Sequence, residues 1–87
     1  MININNITAL AETLPVETEV DGYTGYGVWK VYKEVFTQLG LDVTKTSQSV
    51  YNDLVHGRID GIKNTHRITD ETVIETYVAK LVARATR

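Results

Sequence analysis

Eighty-seven residues suffice for one hydrophobic core and are too few for two. A composition of 43% hydrophobic and 23% charged residues argues against disorder, and the absence of cysteine excludes disulfide staples, thiolate nucleophiles and cysteine zinc sites together. The net charge of −2 conceals an asymmetry: residues 1–42 carry Lys30 and Lys33 against six acids, residues 43–87 seven basic groups against five, so an anionic partner should meet the C-terminal half.

The opening run Met1-Ile2-Asn3-Ile4-Asn5-Asn6 lacks the basic and long apolar stretches of a secretory signal. No apolar run approaches the ~20 residues that span a bilayer. The expectation is a cytoplasmic protein without membrane contact, folded as one domain: an N-terminal helix with an acidic loop over 1–24, then a core over 25–87.

Asn6 is placed to cap a first helix, in which Ile7, Leu10, Ala11 and Leu14 fall at i, i+3, i+4 and i+7. Pro15 ends it. Residues 15–27, with three acids and three glycines, read as a loop. Its Gly22-Tyr23-Thr24-Gly25-Tyr26-Gly27 lacks the spacing and the preceding strand of a phosphate-binding loop.

Over 28–39 a second helix gathers Val28, Val31, Tyr32, Val35, Phe36 and Leu39 on one stripe, with Lys30, Lys33, Glu34, Thr37 and Gln38 facing away. Gly40 suits the left-handed position that closes it. Trp29 widens the buried face or sits at its edge, as a core residue or a dimer contact.

Thr46 or a near neighbour caps a third helix over 47–56, with Val50 and Leu54 on one face and Gln48, Asn52 and His56 in a polar stripe on another. Gly57 is expected to stop it. In residues 58–68, isoleucines separated by short polar stretches, with Asn64-Thr65 at a turn, predict a small β-hairpin. Thr69 caps the last helix, over 70–84, where Val73, Ile74, Tyr77, Val78, Leu81 and Val82 make a doublet stripe. That stripe is either core or an oligomer interface. The fold class expected is mainly α, a small helical domain with a winged helix-turn-helix and a short β-hairpin.

The segment Thr46-Ser47-Gln48-Ser49-Val50-Tyr51-Asn52-Asp53-Leu54-Val55-His56-Gly57-Arg58-Ile59 resembles the recognition helix of excisionase-like winged helix-turn-helix proteins, relatives of the mercury-resistance-type regulators. The end of the wing resembles Arg67-Ile68-Thr69-Asp70-Glu71, and the likeness covers residues 44–82. It implies a bacterial, phage or plasmid regulator of transcription or an accessory factor in recombination or partition. Such a protein holds double-stranded DNA with helix 47–56 in the major groove and hairpin 58–68 as the wing.

Side-chain chemistry gives that expectation content. Gln48 and Asn52, one turn apart, offer the donor–acceptor pairs that read adenine edges. Thr46, Ser47 and Ser49 at the helix start suit phosphate, with the backbone amides there. Lys45, Arg58, Lys63 and Arg67 supply positive charge, with Asn64 and His66 at the hairpin turn. Four phosphate contacts give a salt slope near about −4 for a monomer and about −7 for a dimer, which favours a homodimer.

One other class of function stays open. Overall acidity, the acidic run 17–21 and a recognition helix poorer in Arg and Lys than usual suit a protein-interaction module, an inhibitor or adaptor of a host protein. An enzyme is not expected, because no nucleophile pairs with a base and no carboxylates pair in an apolar setting. No cofactor or small-molecule substrate is implied, and His56 and His66, ten apart without a third ligand nearby, do not make a metal site.

Overall fold

The structure, a computed structural model, describes residues 2–15, 26–63 and 70–86. Four α-helices carry it: α1 (Ile4–Thr13), α2 (Tyr26–Gln38), α3 (Gln48–Lys63) and α4 (Glu71–Thr86), with a 3-10 turn at Val43–Lys45.

Asn3, not Asn6, caps α1: its side chain accepts from the Asn5 amide at 2.9 Å. Starting there adds Ile4 to the stripe of Ile7 and Ala11, which are buried, while Leu10 is 37% exposed. The helix stops at Thr13 because Pro15 excludes its predecessor from helical backbone, and Leu14 is extended (φ −85°, ψ 137°).

The second helix buries Val28, Tyr32, Val35 and Phe36 as expected. Gly40 takes φ +68°, the Gly40 amide donates to the Thr37 carbonyl (3.2 Å), and the Leu41 amide reaches back to the Phe36 carbonyl (2.9 Å). These two bonds make the Schellman ending of a helix. The chain then turns under Asp42, whose carboxylate accepts from the Thr44 amide at 2.9 Å.

At the start of α3, Ser47 provides the cap. Its carbonyl accepts from the Tyr51 amide at 3.0 Å and its hydroxyl from the Val50 amide at 3.3 Å. Asp70 caps α4, accepting from the Thr72 and Val73 amides at 2.9 and 3.3 Å. Thr69, expected in that role, lies outside the described residues.

The β-hairpin expectation is overturned. The helix does not stop at Gly57 but continues through it to Lys63, so the first half of the expected hairpin 58–68 is α-helical. Among the described residues there is no strand, and residues 64–68 lie outside them. The winged helix-turn-helix with its β-hairpin is therefore corrected, and the mainly α part of the expectation stands. The physical reason is cooperativity. An already nucleated helix gains a hydrogen bond with each added residue, whereas an isolated two-stranded hairpin is marginal in water. Ile59 and Ile62, three apart, fit a helical repeat as well as a broken alternation. Gly57 is buried within α3, so it serves packing rather than termination.

The helices share one core. α4 lies against both α1 and α2, and α3 packs chiefly on α2 and the 3-10 turn. Of the doublet stripe on α4, Ile74, Tyr77, Val78, Leu81 and Val82 are buried together with Ala79 and Ala83. The stripe is core, and Val73 alone of it turns outward at 47% exposure.

Candidate nucleic-acid interface

The third helix is fastened along one side. Leu54 and Gly57 are buried, and Val50, Tyr51, Asp53 and Val55 are half-buried around them. With 3.6 residues per turn, that anchoring leaves positions 48, 52, 56 and 59 together on the opposite face. Gln48, Ser49, Asn52, His56 and Ile59 are accordingly exposed.

On this face Gln48 Nε2 donates to Asn52 Oδ1 at 3.1 Å. The bond uses one donor of Gln48 and one acceptor of Asn52. Gln48 Oε1 is left as an acceptor and Asn52 Nδ2 as a donor, the two kinds of group that adenine's N6 and N7 require. Ser47 Oγ lies 3.3 Å from Ser49 Oγ at the exposed start of the helix.

Thr46 does not join them. It is 5% exposed, its hydroxyl donates to the Val43 carbonyl at 3.1 Å, and it sits 3.3 Å from the Tyr32 hydroxyl. The Tyr32 hydroxyl also donates to the Val43 carbonyl, at 2.9 Å, and burial pushes the phenol's pKa up. Thr46 is thus part of the latch that fixes the entry to α3, and a phosphate has no access to its oxygen.

Lys45 is exposed in the 3-10 turn just before that latch. Arg58 and Lys63, expected on a wing, belong to α3 instead. Asn64, His66 and Arg67 lie outside the described residues.

Arg58 leads to residues that sequence reasoning passed over. Its guanidinium sits over the Trp29 ring, 5.4 Å from the centroid. Trp29 is in turn braced by Tyr32 and Tyr51, each with its ring centroid 6.1 Å away. Beside this stack, a shallow cleft of about 590 Å³ is lined by Trp29, Lys30, Lys33, Glu34 and Arg58, with Thr37 and Gln38 completing it. A signal for it was present. Tyr51 and Arg58 are seven apart and share a helix face once α3 is continued past Gly57.

Among the described residues there is no cluster of His, Asp or Glu able to hold a metal ion. No helix among them is long and apolar enough to cross a membrane. No protein-family model, curated protein or solved structure matches the chain.

Proposed function

We propose that this chain binds double-stranded DNA by laying the outer face of α3 in the major groove, as a small regulator or accessory factor. The observation that carries the proposal is the one-sided anchoring of α3, which leaves Gln48, Ser49 and Asn52 exposed on a rigid helix. An α-helix with side chains is about 10–12 Å across and the major groove about 12 Å wide. The sixteen residues of α3 extend about 24 Å, enough to follow the groove over several base pairs.

In this arrangement Gln48 and Asn52 read base edges, Ser47 and Ser49 bond a phosphate at the helix start, and Lys45 and Arg58 add charge on either side. A homodimer doubles these contacts, which compensates for a helix with few cations. Titration of random duplex at about 50 mM salt tests the proposal, because nonspecific phosphate binding is strong there. Binding should weaken steeply with salt, and Asn52→Ala with Gln48→Ala should flatten the preference among selected sequences. An absence of binding at that salt concentration would end the proposal.

That negative result would favour a second reading, a module that docks on another protein. A specific feature supports it: a recess of about 320 Å³ lined by Thr8, Ala11, Glu12, Leu39, Leu41 and Val82, with Thr86 at its edge. Leu39 at its rim is 39% exposed.

A further inference from the structure

The exposed row on α2 carries charge that the α3 interface leaves unused. Lys30 and Lys33 are exposed one turn apart, and they line the same cleft as Arg58 on α3. Among the described residues, three cations line the cleft with one carboxylate, that of Glu34, which accepts from Gln38 Nε2 at 3.3 Å.

Arg58 rests over the Trp29 ring, its guanidinium 5.4 Å from the centroid. A guanidinium over an indole face is attracted by the ring quadrupole, and its peripheral N–H groups remain available as donors. The Trp29 ring is wedged between two tyrosines, so it forms a fixed post beneath the charge. A guanidinium seated over an indole and accompanied by two ammonium groups matches phosphodiester oxygens, for which Arg supplies a planar fork and Lys a point charge. The cleft is open and shallow, which suits an extended polyanion rather than a small molecule enclosed on all sides.

We infer that the cleft of Trp29, Lys30, Lys33 and Arg58 seats the phosphodiester backbone of duplex DNA, beside the groove that α3 enters. The inference rests on the α3 reading and deepens it: charge for the duplex comes from the side of α2. Trp29 acts here as a positioning residue, and Lys30, Lys33 and Arg58 make the contacts.

The test is a salt series of anisotropy titrations with a short labelled random duplex and with a selected sequence. Five proteins are compared: the unaltered chain, Lys30→Gln with Lys33→Gln, Gln48→Ala with Asn52→Ala, Arg58→Gln and Arg58→Lys. All five side chains involved, Arg58 included, are exposed, and circular dichroism checks that each variant is folded. Removing two phosphate contacts per protomer should lower the salt slope by about 1.8 for each protomer bound and weaken binding roughly eightfold per contact at about 0.1 M salt. The preference for the selected sequence should persist. Arg58→Gln should lower the slope by about 0.9, and Arg58→Lys should restore it in part.

An unchanged slope in the double lysine variant overturns the cleft and leaves the α3 reading standing. A slope lost there, with neither affinity nor preference altered by Gln48→Ala and Asn52→Ala, overturns the α3 reading and keeps the cleft as the DNA contact. No binding by the unaltered chain at about 50 mM salt overturns both.

Discussion

The hydroxyl of Tyr32 on α2 lies 3.3 Å from the hydroxyl of Thr46 at the threshold of α3, and both donate to the Val43 carbonyl between them. Two side chains on one acceptor tie the start of the 3-10 turn both to the middle of the preceding helix and to Thr46 just beyond the turn. The angle at which α3 leaves the body depends on that tie.

Tyr32→Phe removes one of the two donors while Thr46 still satisfies the carbonyl. A loss of about 1 kcal/mol is expected, the usual net value of one such bond. Thr46→Val leaves the buried Tyr32 hydroxyl with the carbonyl alone and should cost a similar amount. Since the two share a partner, the double variant should cost measurably more or less than the sum of the single changes. Urea denaturation of the four proteins reads this directly.

Gly40→Ala places a Cβ on a residue at φ +68°, where open space surrounds it. Backbone strain is then the whole cost, about 1 kcal/mol. Asn tolerates left-handed backbone better than Ala, so Gly40→Asn should be milder. A thermal melt ranking Ala as stable as Gly would contradict this account of the end of α2.

Asp70→Ala strips the cap from the helix that supplies half of the buried core residues described, since its carboxylate holds both the Thr72 and Val73 amides. The expected loss is about 1 kcal/mol, or a drop of roughly 4–8 °C in Tm for a domain of this size. Asp70→Asn, which retains the acceptor, should lose less.

Asp42 sets an acid limb. The Thr44 amide, and then the Thr44 hydroxyl, hold its carboxyl below the ordinary value. A carboxyl depressed in the folded state contributes stability above its unfolded pKa and loses it as pH falls through the folded pKa. Tm should therefore decline below about pH 4 with a component that Asp42→Asn abolishes. Parallel melts between about pH 2 and pH 6 would show identical curves for the two proteins if the bond to Thr44 did not matter.

Much of the architecture was legible because strong periodicity and strong punctuation coincide. Val28, Tyr32, Val35 and Phe36 followed by Gly40 left one reading for α2. Ile74 through Val82, behind two acids, did the same for α4. The stretch from Gly57 to Lys63 failed because two glycines and two isoleucines satisfy both repeats locally. The cooperativity of a helix already nucleated, together with the tertiary environment that buries Gly57, decides between them. For α1, the choice between Asn3 and Asn6 rests on which asparagine finds a backbone amide, and composition does not encode that.

The exposed polar stripe of Gln48, Asn52 and His56 was legible from spacing alone. The burial of Thr46 was not, because a threonine ahead of a helix reads as a surface cap until a tyrosine from another helix is known to reach it. The cleft was missed for a related reason: Trp29 and Arg58 are 29 positions apart, and their meeting depends on the helical course of residues 57–58.

Trp29 is the single tryptophan of the chain, and a guanidinium stands above its ring. Its tryptophan fluorescence thus comes from one place, where a guanidinium lies 5.4 Å from the centroid of the emitting ring. Anything that draws Arg58 away should shift the emission maximum and the susceptibility to iodide quenching. The protein carries its own optical gauge of that arginine's engagement, with no label to disturb the surface being measured.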